Sequence, residues 1–188
     1  MNPLKLAVII VSTRPVRVGQ PIGQWFFDLA RAHGNFDVDL VDLKEAALPM
    51  FDEPKHPRFA EYAHAHTKAW SAIVAPRDAF VFVTPEYNHG APPSLVNALD
   101  YLHREWAYKP AGFVSYGGPA GGTRSVQMAK QIVTALKMMP MAEGVAIPSV
   151  TSHVENGEFK ATDGFTHSAK VLLDELHRWA VALRTMRA

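Results

Sequence analysis

The chain has 188 residues, the length of one ordinary domain, so it is expected to fold as a single unit over residues 1–188. Hydrophobic residues make up 48% and charged residues 20%, and 14 prolines with 12 glycines are too few and scattered for a fibrous chain; disorder and coiled coil are excluded as well. Nineteen Lys+Arg against eighteen Asp+Glu leave a formal charge of +1, without the broad basic footprint of a nucleic-acid binder. Any anion site must be built locally.

No cysteine is present, which removes disulfide scaffolds, thiolate zinc sites, iron–sulfur clusters and thiol nucleophiles. Leu4–Val11 (LKLAVIIV) is a continuous apolar run of the kind buried on both faces of a sheet. It is too short to span a bilayer, and Arg14 follows it without a small-residue cleavage site. A strand is expected there, in a soluble, cytoplasmic protein with no membrane partner.

Ile22, Trp25, Phe26, Leu29 and Ala30 then recur at helical spacing, and Gly34 ends that helix. Asp37–Leu43 partly alternates polar and apolar residues, as an edge strand does. Tyr62, Ala69, Trp70 and Ile73 predict a second helix stopping before Pro76, and Ala79–Val83 a second buried strand. Leu95, Ala98, Leu99, Leu102 and Trp106 make the third helix, and Ala111–Tyr116 the next strand. Val126, Ala129, Ile132, Val133 and Leu136 make the fourth helix; Gly144–Ile147 is a short strand ended by Pro148. The polar stretch His153–Gly164 reads as a surface loop, and Leu172, Leu176, Trp179, Ala180 and Leu183 form the closing helix.

Strand and helix thus alternate five times. Parallel strands need crossovers, and the crossover is usually a helix, so the expected fold is α/β: a doubly wound five-stranded parallel sheet, order 2-1-3-4-5, with helices on both faces. Ligands of such sheets bind beyond the carboxyl ends of the strands, which puts three loops first.

The loop after strand one runs from Ser12 to Pro21 and carries Arg14 and Arg17 where a helix begins. Pro21 suits the first helical position, and neither Gly19 nor Gln20 is a strong cap. Positive side chains beside a positive helix end are unfavourable unless an anion joins them, so this loop reads as a phosphate site. The competing reading pairs the arginines with surface carboxylates. The loop matches neither GxxxxGK[ST] nor GxGxxG. After strand three, Thr84 to Pro93 is rigid and proline-rich, and Pro85, Glu86, Tyr87 and Asn88 form a preset shelf for a planar ligand, or else a tight turn alone. After strand four, four glycines lie among Ser115–Arg124, so an amide nest can approach an anionic oxygen; such glycines also make plain turns. Phosphate cup, shelf and amide wall together match a flavin mononucleotide.

With STRPVRVG, TPEYNHGAPPSLVNALDYL and SYGGPAGGTRSV in these three places, the chain resembles the NAD(P)H-dependent FMN reductase family of the flavodoxin-like fold, over roughly Leu4 to Met141. The resemblance implies FMN phosphate held by Ser12, Arg14, Arg17 and the amides of Val18, Gly19 and Gln20. It implies the ring against Pro85, Glu86, Tyr87 and Asn88, with Ser115, Gly117 and Gly118 at its pyrimidine edge. Arg17 and Gly19 stand where many members of the family have a serine and an asparagine. The resemblance further implies homodimers, or tetramers, with flavin sites close to the interface.

Other features carry less. His64 and His66 are two apart and should face different sides of a helix, so no metal site is expected. Nor is there a GxSxG elbow for hydrolysis. Met138, Met139 and Met141 suit core or subunit packing, whereas Trp106 and Tyr108 suit a dimer or substrate contact. The expected activity is an oxidoreductase in which NADPH or NADH reduces bound FMN, and a small-molecule acceptor (a quinone, azo compound, metal oxyanion or free flavin) is then reduced in a ping-pong cycle. No catalytic side chain is required. The amides of Gly117 and Gly118 are expected to meet negative charge developing on the ring. The rival is a non-enzymatic electron carrier of the flavodoxin type; such carriers are commonly strongly acidic, and this chain is not.

Overall fold

The computed structural model describes residues 3–187. Strands β1 (Leu4–Ile10), β2 (Phe36–Asp42), β3 (Ala79–Pro85) and β4 (Pro110–Tyr116) pair in parallel in the order β2-β1-β3-β4. Beyond β4 lie two short pieces, β5 (Met139–Pro140) and β6 (Val145–Ile147), both parallel to it. The 2-1-3-4-5 order is as expected, but its fifth strand is split. Ala111 faces Pro140 and Val114 faces Val145, so residues 141–144 lie against only two residues of β4 and bulge outward. Pro140 lacks an N–H for the ladder, which suits this outer edge.

Every residue of β3 and β4 is buried, because helices cover both faces of the sheet. The helices are α1 (Gly19–His33), α2 (Leu43–Ala46), α3 (Ala65–Val74), α4 (Pro93–Asp100), α5 (Thr123–Ala135) and α6 (Asp163–Arg184). Strand side chains alternate between two cores. Leu6, Val8, Val81, Val83, Val114 and Tyr116 pack against α1 and α6, while Ala7, Ile9, Phe80, Phe82 and Phe113 pack against α3, α4 and α5. In β2 only Phe36 is fully buried, as its edge place dictates. No helix among the described residues is long and apolar enough to cross a membrane.

Local chemistry explains where the elements stop. Gly34 ends α1 in the left-handed conformation (φ 82°). Asp42 ends β2, and its carboxylate accepts from the Lys44 amide (2.9 Å), so Leu43 begins α2 and not the strand's last position. α1 opens two residues before Pro21, which is therefore third in the helix, still within the turn where a missing N–H is harmless. α3 begins only at Ala65; Tyr62 lies outside it and donates its hydroxyl to Glu105 (2.8 Å). The stretch 153–164 contains an antiparallel hairpin, β7 (Val154–Glu155) and β8 (Glu158–Phe159), turning on Asn156 and Gly157, both with positive φ.

The third helix is shorter than its periodicity predicts. α4 ends at Asp100, and the chain turns so that the Trp106 indole N–H donates back to the Leu99 carbonyl (3.2 Å). Trp106 is fully buried, its ring 4.8 Å from Phe80 and 6.1 Å from Trp70. It is a core residue within one subunit, which overturns its assignment as a dimer contact. Trp106→Ala should therefore lower the unfolding free energy by about 3–5 kcal/mol in a urea titration. A variant of unchanged stability would return Trp106 to the surface.

Candidate active site

Because the strands are parallel, the chain segments 11–18, 86–92 and 117–122 emerge at one edge of the sheet. The first leads into α1, whose N-cap residue, Val18, offers no side-chain acceptor, and whose first turn holds no acid. Its amides thus present an unopposed positive helix end. Arg14 is exposed there and has no carboxylate partner among the described residues.

Arg17 is placed differently from the sequence expectation. Its guanidinium turns back onto Asp42 at the end of β2 in a bidentate pair (Nη1–Oδ1 2.8 Å) and also donates to the Ser12 carbonyl (2.9 Å). Both side chains are about nine-tenths buried (7% and 11% exposed). Arg17 therefore holds the loop in shape, and of the two arginines only Arg14 presents its charge outward. Asp42 is a site residue that reading the loops alone missed. The available signal was an acid at the carboxyl end of a strand that the 2-1-3 order sets beside the first loop.

Behind this helix end lies a group of hydroxyls. Ser12, 2% exposed, is 3.0 Å from the Tyr87 hydroxyl. The Tyr116 hydroxyl is buried without a hydrogen-bond partner, next to the backbone of Gly19. A Cβ on Gly19 would lie 2.4 Å from that oxygen, so only glycine fits. Burial, reinforced by neighbouring Tyr87, pushes the Tyr116 pKa up against the opposing pull of the nearby Ser12 hydroxyl and of Arg17 and Arg14, and the phenol keeps its proton as a donor. A buried donor without an acceptor, beside free helix amides and Arg14, is a surrounding that suits an anionic group. The residues present therefore fit the phosphate of FMN.

The second segment forms a two-residue hairpin turn. Tyr87 and Gly90 exchange both backbone hydrogen bonds (3.1 and 2.9 Å), and Asn88 and His89 between them are left-handed (φ 50° and 66°). Asn and His tolerate that conformation better than most residues. The turn presents Asn88 and His89 to solvent as an exposed rim. Glu86 does not join it. Its carboxylate accepts from the Arg124 amide (3.0 Å) and guanidinium (2.7 Å), capping α5, and its own N–H donates to the Tyr116 carbonyl (3.2 Å). Glu86 thus braces the shelf, its carboxylate committed to Arg124.

The third segment is largely self-satisfied. The Ser115 hydroxyl donates to the Gly121 carbonyl (2.8 Å), and the Gly117 amide donates to the Ile147 carbonyl (3.2 Å). Both donors are thus already engaged within the protein. The Gly118 amide makes no backbone hydrogen bond among the described residues, and Gly118 borders open space. Gly122 is obligatory: φ is 81°, and a Cβ would meet the Tyr116 amide nitrogen at 2.8 Å. The imidazoles of His64 and His66, expected on different faces, instead stack 5.1 Å apart, since His64 precedes α3 and both reach Asp52.

Burial alone would raise the Glu86 pKa, but hydrogen bonds from Arg124 outweigh it and hold the carboxyl below its usual 4.5. A depressed folded-state pKa stabilises the fold above the unfolded value and loses that contribution as pH falls through the folded one. Glu86→Gln should therefore be less stable than the parent at pH 7 and converge with it as the pH falls through the depressed folded-state value, read as melting temperature against pH. Parallel curves through the acid range would remove the capping role.

Comparison with known proteins agrees with this geometry. Residues 4–152 match the family model described as NADPH-dependent FMN reductase. A Schizosaccharomyces pombe protein named NAD(P)H-dependent FMN reductase is 40% identical over 175 residues, 85% of this chain and 87% of that one. A Bordetella avium protein named FMN-dependent NADH:quinone oxidoreductase is 29% identical over 166 residues, covering 74% of this chain and 80% of its own. Among solved structures, FerB of Paracoccus denitrificans, a flavoenzyme NAD(P)H:(acceptor) oxidoreductase, superposes with a TM-score of 0.75 at 19% identity, over 95% of this chain and 98% of that one. The chain belongs to the NADPH-dependent FMN reductases, flavodoxin-like oxidoreductases that use FMN and NAD(P)H.

Proposed function

We propose that this protein reduces small-molecule acceptors, quinones foremost and otherwise azo compounds, metal oxyanions or free flavin, in a ping-pong cycle driven by NADPH or NADH. The observation carrying this reading is the meeting of three features at one sheet edge. They are an acid-free, uncapped helix start beside Arg14, the exposed Tyr87–Gly90 turn, and the open Gly118 backbone. FMN, when bound, supplies two-electron exchange with NAD(P)H and with the acceptor.

The protein's part is orientation. Arg14, Ser12 and the amides of Val18, Gly19 and Gln20 hold the phosphate, while Arg17 fixes the loop through Asp42. Pro85, Tyr87, Asn88 and the Glu86 backbone would position the ring, and the Gly118 amide would meet charge at its pyrimidine edge, with Gly117 and Ser115 shaping the turn. Walls on one side and one edge leave a single face for planar partners, so donor and acceptor exclude each other. The rival electron-carrier reading uses the same cup but would not accept hydride from a nicotinamide.

The test is anaerobic mixing of the FMN-loaded protein with NADPH or NADH, followed by steady-state kinetics with a benzoquinone. Rapid bleaching and parallel double-reciprocal lines are expected. FMN bound but unbleached over minutes would establish the carrier reading, and intersecting lines would remove the shared face. Arg14→Ala should weaken FMN binding about ten- to a hundredfold without lowering stability, from the roughly 1.5–3 kcal/mol of a charge-assisted contact. Arg17→Ala should instead destabilise the apoprotein by about 3–5 kcal/mol, since it strands a largely buried carboxylate.

We also propose a homodimer, with the contact moved from buried Trp106 to the apolar surface beside α4. Met50 is 76% exposed there, and Phe51, half exposed, packs against Tyr101. Sedimentation should give a dimer that Met50→Lys weakens; a monomer at micromolar concentration overturns it.

A further inference from the structure

The opposite edge of the sheet, where the strands begin, holds a second concave site. Lys109 immediately precedes β4, Lys137 lies between α5 and β5, Arg104 follows α4, and Arg58 sits in the short 3-10 turn Pro57–Phe59. All four line one cavity of about 680 Å³. Seven-residue strands separate it from the flavin edge by roughly 23 Å.

Positive charge outweighs negative at this cavity: among the described residues Glu105 is the one lining carboxylate, against Arg58, Arg104, Lys109, Lys137 and Arg187. Asp78 is taken by Arg187 (2.7 Å) and the Lys5 amide (2.9 Å). Glu105 accepts from the hydroxyls of Tyr62 (2.8 Å) and Ser71 (2.6 Å). Arg58, Arg104, Lys109 and Lys137 have no carboxylate partner among the described residues. This concentration arises in a chain whose net charge is only +1.

Lys109 is the most informative of the four. It is 5% exposed, and its ammonium donates to the Val74 and Ala75 carbonyls (3.4 and 2.9 Å), which suits the end of α3. Its two hydrogen-bond acceptors are neutral, and its charge is met by the Phe80 ring, 5.6 Å away, and by the fields of Asp78 and Glu105 without a direct ion pair. Burial, then Arg187, pull its pKa down to about 8, so the ammonium still predominates at neutral pH. Opposite it, the Tyr108 amide donates to the Lys137 carbonyl (2.9 Å), and both residues are left-handed (φ 59° and 61°). That strained pair sets the Lys137 ammonium over the Tyr108 ring, 5.7 Å from its centre, at the cavity wall.

We propose that this cavity binds a small ligand bearing two linked phosphate groups, at a site separate from the flavin. Guanidinium forks and ammonium groups together are the donors that phosphate oxygens take, and four cations around one cavity exceed what a single phosphate needs. A concave volume of this size fits a small molecule.

Calorimetric titration of the FMN-loaded protein with pyrophosphate at low salt tests the site. One-to-one binding is expected, at least about tenfold tighter than orthophosphate, weakened tenfold or more by Lys137→Glu and retained in Lys137→Arg. Lys44→Glu makes the same charge change on exposed α2 and should leave the affinity unaltered. Arg14→Ala, which removes the outward charge of the flavin loop, should also leave it unaltered. Four outcomes would overturn the proposal: no heat at millimolar pyrophosphate, equal affinity for orthophosphate, an equal loss in Lys44→Glu, or a loss in Arg14→Ala.

Discussion

Parallel pairing is the constraint on which everything else in this protein rests. When every strand of the main sheet runs the same way, every carboxyl end reaches one edge, and the chain must return through a helix each time. Three connecting loops are thereby gathered at that edge, and each leads into a helix start there, of α1, α4 and α5. The opposite edge collects helix ends and strand beginnings. Lys109 is held there by the terminal carbonyls of α3.

The site edge is built mostly from backbone, and its charged side chains largely serve the loops. Arg17 and Asp42 tie the first loop to β2; Glu86 and Arg124 tie the shelf to α5; Ser115 ties β4 to the Gly121 turn. Each tie satisfies a group that a loop would otherwise leave unpaired beside a buried sheet. The free donors at this edge among the described residues are few: the amides at the start of α1, Arg14, the Tyr116 hydroxyl and the Gly118 amide. A cofactor-dependent enzyme needs little more, because the reactive atoms belong to the cofactor and the protein supplies position and field.

The two buried cores are joined to this edge through particular residues. Tyr116 belongs to the α1–α6 core, yet its hydroxyl lies against Gly19 at the start of the phosphate loop. Ser94 at the start of α4 donates to the Val11 carbonyl (2.8 Å), just where β1 gives way to that loop. Loop shape is thus set partly by packing beneath it: Gly19 is held to glycine by the Tyr116 hydroxyl, and Gly122 by its left-handed backbone together with the Tyr116 and Ser115 atoms against it.

The order of strands, their two-sided burial and the three ligand-edge loops were determined by the sequence itself, because hydrophobic runs and helical spacing follow from which faces must leave water. The stretch 153–164 was legible only as a polar surface loop; its hairpin on Asn156 and Gly157 came from the structure. The split of the last strand was not legible either, since it depends on how far residues 141–144 must travel around β4. Which arginine faces outward was likewise decided only by tertiary structure: Arg14 and Arg17 look alike in the loop, but only Arg17 lies within reach of Asp42, twenty-five residues later. Trp106 has the spacing of a helix-end aromatic, and only the fold shows the chain turning back to bury it against Phe80. Periodicity reports how a residue relates to its neighbours along the chain, whereas a side chain's partner is set by the distances that folding closes.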